Sequence, residues 1–225
     1  MTYADLAKMI DHSLLQQVLT DADLEAGLAL AREYDVASVC IKPYAVPQAV
    51  RALAGSTVLV GTVIGFPHGG HHTKIKVAEA EAALDDGAVE LDMVVNIGKV
   101  LSKQYGYVAD DIAAVVETAH RRAAKVKVIF ENCFLKDEHK IELCRICGEV
   151  KADWVKTSTG YGDGGATDED LTLMRTHSPA HVQVKAAGGV RTYERLLAVR
   201  ELGVTRVGAT ATRAILDPAR AQLLR

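Results

Sequence analysis

"VQVKAAGGVRT", residues 182–192, reads as a strand, a turn and the start of a helix. Side chains alternate along a strand, so Val182, Val184 and Ala186 fall on one side and Gln183, Lys185 and Ala187 on the other. The first side is apolar throughout, as a face covered by helices must be. The second side carries a lysine towards whatever lies opposite. Gly188 and Gly189 then mark the junction at which the strand gives way to a helix.

The same unit recurs along the chain. Eight candidate strands can be read: "IDHSL" (10–14), "SVCI" (38–41), "TVLVGTVIGF" (57–66), "VELDMVV" (89–95), "VKVIFE" (126–131), "DWVKTS" (153–158), "VQVKAA" (182–187) and "TRVGA" (205–209). Amphipathic stretches such as "TKIKVAEAEAALDDG" and "YVADDIAAVVETAHRRA" fill most of the gaps, and an opening helix is expected over roughly 2–9. Eight strands alternating with helices predict a single-domain (β/α)8 TIM barrel over residues 1–225, with an extra N-terminal helix. A doubly wound open sheet is the alternative, but no G-x-G-x-x-G follows a first strand.

Parity in the other strands points the same way. Leu91, Met93 and Val95 oppose Glu90, Asp92 and Val94; Val126, Val128 and Phe130 oppose Lys127, Ile129 and Glu131. If the apolar sets face the helices, the barrel interior receives Asp92, Glu131, Lys156 and Lys185, joined by Cys40 and Asp11 from the first two strands. Charges converging from several strands make a poor core and a good site, and barrel chemistry sits at the C-terminal ends of strands.

Lys156 and Lys185 are the leading candidates. Two inward lysines on adjacent strands repel each other and resist desolvation, and both effects lower a lysine pKa. A neutral amine attacks carbonyls, the first step of Schiff-base catalysis. The bland alternative is that each lysine only forms a buried ion pair with Asp92 or Glu131. Asp92 beside an ammonium stays ionised and can relay protons. The glycine-bearing turns "GYGDGG", "AAGGVRT" and "RVGATAT" follow strands six, seven and eight. Gly188, Gly189, Gly208 and Thr210 could offer N–H groups and a hydroxyl to a phosphate there.

Other features carry less. A net charge of −3 and the absence of basic stretches interleaved with aromatics exclude a nucleic-acid reading. The start, "MTYADLAKMIDH", lacks the pattern of a signal peptide, and the longest apolar run is too short to span a bilayer. A cytoplasmic, non-membrane protein is expected. Cys144 and Cys147 form a C-x-x-C, but they repeat with Ile141 at helical spacing and read as a core face. His68, His71 and His72 cluster in "GFPHGGHHTK" without an acidic or cysteine partner, so they read as a solvated loop and no metal is expected. Cys40 has no histidine base near it in sequence and reads as a small pocket-lining residue.

These blocks together resemble the deoxyribose-phosphate aldolases, class I aldolases of deoxynucleoside breakdown. "IDHSLL", "GFPHGG", "ELDMVVNIG", "DWVKTSTGYG", "VKAAGGVRT" and "RVGAT" stand in the family's order and span nearly the whole chain. The resemblance implies that Lys156 is the Schiff-base lysine and that Lys185 is the second lysine that depresses its pKa. It makes Asp92 the proton-transferring aspartate, and Asp11 and Cys40 pocket residues, with Asp11 near Lys185. Thr159, Gly160, Gly188, Gly189, Gly208 and Thr210 fall in the region that receives the sugar phosphate. It also implies no cofactor, a small phosphosugar and acetaldehyde as the molecules handled, and a homodimer or homotetramer. Three departures stand out. Ser13 replaces a frequent threonine, Thr210-Ala211 replaces a frequent serine pair so that one hydroxyl is lost, and the sequence ends at Arg225 without the longer tail ending in tyrosine that some members carry. The rivals are another Schiff-base sugar-phosphate lyase and a phosphosugar-binding barrel without catalysis.

Overall fold

A computed structural model describes residues 1–223; the last two residues of the expected 1–225 unit lie outside the described residues. Eight parallel strands close into a barrel in sequence order. They are β1 (Ile10–Leu14), β2 (Ser38–Ile41), β3 (Leu59–Ile64), β4 (Glu90–Val94), β5 (Lys125–Ile129), β6 (Trp154–Lys156), β7 (Gln183–Ala187) and β8 (Val204–Ala209). The barrel closes where Ile10 and Asp11 of β1 pair with Val207 and Gly208 of β8. The helices are α1 (Tyr3–Ala7), α2 (Asp21–Glu33), α3 (Val46–Ala52), α4 (Thr73–Asp85), α5 (Ile97–Leu101), α6 (Tyr105–His120), α7 (Asp137–Glu149), α8 (Asp168–His177), α9 (Tyr193–Glu201) and α10 (Thr212–Leu223). The TIM barrel read from the sequence is the fold, and the open-sheet alternative falls.

Local chemistry starts the helices where the strands end. Thr20, Thr167 and Thr192 cap α2, α8 and α9 by accepting a hydrogen bond from the backbone N–H three residues on. Between the helices and the strands lies one continuous apolar core. It holds Leu91 and Met93 of β4, Val126 and Val128 of β5, and Val184 and Ala186 of β7, the face that alternation assigned to the helices. Cys144 and Cys147 are buried in that core on α7. One charged pair is buried there as well: Lys76 of α4 donates to Asp111 of α6 at 2.5 Å and to the Val94 carbonyl at 2.9 Å, tying both helices to the end of β4.

β1 and β2 keep the bounds expected of them and β8 gains Val204, while the other five strands end or begin short of theirs, and two of these differences matter. β3 spans six residues rather than ten because Gly65, at a left-handed φ of 63°, turns the chain away. β5 stops at Ile129, and Glu131 adopts a left-handed φ of 57°. That turn takes Glu131 out of the inward register expected for it.

Candidate active site

Lys156 and Lys185 sit side by side, paired in register across β6 and β7. Both Nζ atoms donate to the same oxygen, Oδ2 of Asp92, at 2.7 Å each. Lys185 makes a second contact of 2.5 Å to Asp11 Oδ2. Neither lysine pairs with Glu131. The Glu131 carboxylate instead accepts from the Thr159 backbone N–H at 3.1 Å and from the Thr159 hydroxyl, and so anchors the loop after β6.

Three further charged side chains lie among these groups. Lys127 donates to Glu90 Oε2 at 2.6 Å and to Asp92 Oδ1 at 2.9 Å. Arg206 bridges Asp11 Oδ1 at 2.5 Å and both carboxylate oxygens of Glu90 at 2.8 and 3.0 Å. Trp154, two residues before Lys156 on the same face of β6, lies against them, with its ring centroid 5.6 Å from Lys127 Nζ and 5.1 Å from Arg206 Cζ. Every one of these side chains is buried.

The two lysines are driven in opposite directions. Burial pushes the Lys156 pKa down; Asp92 opposes this, Lys185 reinforces it, and the net direction is downward. Burial also works against the Lys185 ammonium, but Asp11 and Asp92 together outweigh it and its pKa rises. The expectation that crowding would lower both lysines therefore holds for Lys156 and fails for Lys185, which has two carboxylates rather than one. Burial would raise the Asp92 pKa, yet Lys127, Lys156 and Lys185 hold it well below the usual carboxylate range. The Cys40 thiol, 3.9 Å from Asp92 Oδ2, is pushed up to about 11 by burial and by that carboxylate, so it stays neutral.

A cavity of about 460 Å³ opens above the lysines at the C-terminal ends of the strands. Lys156, Lys185 and Cys40 line its depth, and Gly188, Gly189, Gly208 and Thr210 line it where β7 and β8 end. Gly188 is glycine for two reasons: its φ is 83°, and an added Cβ would stand 2.9 Å from the Gly165 Cα of the neighbouring loop. Thr159 and Gly160 also border the cavity. The Thr159 hydroxyl is already engaged, since it donates to Glu131 and accepts the Tyr161 N–H at 3.0 Å. Asp11 differs from the pocket-lining position expected of it: like Asp92 it is fully buried beneath the cavity, Asp11 touching the lining through Lys185 and Asp92 through Lys156, Lys185 and Cys40.

Sequence reasoning passed over two residues at the rim. Arg191 is exposed and lines the cavity beside the Gly188-Gly189 turn. Tyr161 bridges the mouth: its hydroxyl donates to the Leu15 carbonyl at 2.5 Å, and its ring meets Phe66 edge-on with centroids 5.3 Å apart. Arg191 stood in a quoted block and its charge was the available signal. Nothing local marks a contact between residues 15 and 161. His68, His71 and His72 are exposed after β3, and among the described residues no group of His, Cys, Asp or Glu is arranged to hold a metal ion.

A buried lysine with a lowered pKa, beside a second lysine whose pKa is raised and an ionised aspartate, can form and discharge an imine. Comparison with known proteins agrees with that chemistry. The family model described as DeoC/LacD family aldolase matches residues 5–216. A deoxyribose-phosphate aldolase of Rhodopirellula baltica is 60% identical over 221 residues, covering 98% of this chain and 92% of that protein. One of Thermococcus gammatolerans is 47% identical over 222 residues, covering 98% and 99%. Among solved structures, the aldolase QR15 superposes with a TM-score of 0.92 at 33% identity, covering 98% of this chain and 99% of that one. The tetrameric deoxyribose phosphate aldolase of Aeropyrum pernix gives 0.89 at 28% identity, covering 100% and 94%. With its barrel, its lysine pair and these relatives in agreement, the chain belongs to the DeoC/LacD family of aldolases.

Proposed function

We propose that this chain is a class I aldolase that reversibly cleaves 2-deoxy-D-ribose 5-phosphate to D-glyceraldehyde 3-phosphate and acetaldehyde, in deoxyribonucleotide breakdown. The observation that carries the reading is Lys156, an amine at the depth of an open cavity with one carboxylate partner and a lowered pKa. Its neutral form attacks the C1 carbonyl, and loss of water gives an iminium. A base takes the proton of the C3 hydroxyl, the C2–C3 bond breaks, and its electron pair moves into the iminium to give an enamine. Glyceraldehyde 3-phosphate carries C3 to C5 away. Lys185 and Asp92, linked at 2.7 Å, return a proton to C2, and water releases acetaldehyde and the free amine.

The phosphate end is assigned to Gly160, Gly188, Gly189, Gly208 and Thr210, with Arg191 added. Ala211, which follows Thr210, supplies no hydroxyl, so the guanidinium carries more of the anion. Thr159 and Cys40 shape the pocket, while Asp11 holds Lys185. The whole described chain acts as one catalytic unit. A homo-oligomer is part of the same reading, supported by the tetramer reported for the Aeropyrum pernix relative. A cytoplasmic setting fits four free cysteines, and no described helix is long and apolar enough to cross a membrane.

The test is an acetaldehyde-release assay with the phosphorylated and unphosphorylated sugars. The wild type is expected to cleave the phosphorylated sugar with the lower KM. Arg191→Ala should raise that KM about tenfold to a hundredfold, the worth of a charge-assisted hydrogen bond, with little change for free deoxyribose. Cleavage only of substrates that yield a dihydroxyacetone fragment would assign the site to a different lyase. Binding without turnover would leave the phosphosugar-binding barrel.

A further inference from the structure

The barrel interior holds more charge than the proposed chemistry uses. Its cations are Lys127 on β5, Lys156 on β6, Lys185 on β7 and Arg206 on β8; its anions are Asp11 on β1 and Glu90 and Asp92 on β4. β2 adds only the Cys40 thiol, held neutral, and the Ser38 hydroxyl, which donates to Asp11 Oδ1 at 2.7 Å. β3 adds no charged group. With every group ionised the cluster has four positive charges against three negative ones, all shielded from solvent. An uncompensated buried charge is costly, and the group that can shed it most cheaply does so.

The geometry decides which group that is. Arg206 cannot lose its proton. Lys127 faces three carboxylates, at 2.6, 2.9 and 3.6 Å. Lys185 faces two, at 2.5 and 2.7 Å. Lys156 faces one, at 2.7 Å, and it borders the cavity. Once Lys156 is neutral, three cations stand against three anions.

We propose that Lys127 is a positioning residue that keeps Lys156 unprotonated, by supplying the extra positive charge and occupying Asp92 Oδ1 so that only Oδ2 is left for the two catalytic lysines. The inference rests on Lys156 being the imine-forming lysine. Lys127 is absent from the cavity lining, so it acts on Lys156 through the charge balance of the cluster and through Asp92, the carboxylate they share. Removing its charge leaves three cations and three anions with Lys156 protonated, so Lys156 keeps its proton to higher pH. Removing the charge of Glu90, which binds Lys127 and Arg206 but not Lys156, has the opposite sign.

The test measures the rate at which acetaldehyde and cyanoborohydride label Lys156 as a function of pH, with the adduct mapped by peptide mass. Lys127→Met is expected to move the midpoint up by about one pH unit or more, a tenfold slower labelling below the midpoint. Glu90→Gln is expected to move it down. A general loosening of the barrel would move both variants the same way. Trp154 is the chain's one tryptophan and stands against Lys127, so its fluorescence reports whether each variant keeps its interior packed. An unmoved midpoint in folded Lys127→Met, or shifts of one sign in both variants, overturns the proposal. If Lys127→Met does not fold, Glu90→Gln decides alone, and an unmoved or raised midpoint overturns it. A wild type that labels elsewhere than Lys156 instead overturns the Schiff-base reading beneath it.

Discussion

Lys156→Met is expected to lower kcat by a factor on the order of 10⁴ to 10⁶, the range seen when a member of a covalent catalytic unit is removed. No other buried amine can take over. Lys185 is held by two carboxylates and its pKa is raised, and Lys127 is absent from the cavity lining. Stability should move little, or rise. The substitution removes an amine whose charged form burial disfavours, methionine fills a similar volume, and Asp92 keeps Lys185 and Lys127 as partners. Turnover followed by acetaldehyde release, with a thermal melt on the same sample, checks both halves. Residual activity within tenfold of wild type would mean that another group forms the imine, or that none is formed.

Asp92→Asn should damage both activity and stability. The carboxylate takes Lys127 on one oxygen and Lys156 and Lys185 on the other. An amide cannot balance them, and removing one partner of a buried ionic network costs about 3–5 kcal/mol. The Asp92 pKa is depressed in the folded protein, so its contribution is fully present above the unfolded value of about 3.9 and is lost as pH falls through the folded one. The melting-temperature gap between wild type and Asp92→Asn should thus be constant from pH 8 to about 5 and close at lower pH. A gap that widened on acidification would contradict the assignment. In turnover, loss of the proton relay should cost about 10²–10⁴ in kcat. The variant leaves the cluster more positive, which favours a neutral Lys156, so covalent trapping should survive where turnover does not. Loss of trapping together with turnover would instead give Asp92 a part in forming the imine.

Much of this arrangement could be read from alternation along the strands. Asp92, Lys156 and Lys185 were visible because each opposes an apolar face that must meet helices. Lys127 and Glu90 obey the same alternation yet were passed over as interior charges, since a charged residue near the start of a strand also suits a solvated end. Only barrel closure brings them against Arg206, 116 residues from Glu90. Glu131 was misplaced because alternation assumes extended backbone, and its left-handed conformation breaks the pattern. The opposite fates of the two lysines depend on how many carboxylates each meets, a property of three-dimensional register.

Borohydride reduction in the presence of 2-deoxyribose 5-phosphate, followed by peptide mass mapping, decides whether Lys156 forms the imine. A stable, substrate-dependent adduct is expected on Lys156, in the peptide that spans the end of β6. An adduct on Lys185 alone, or no adduct under conditions in which the sugar phosphate binds, would contradict it.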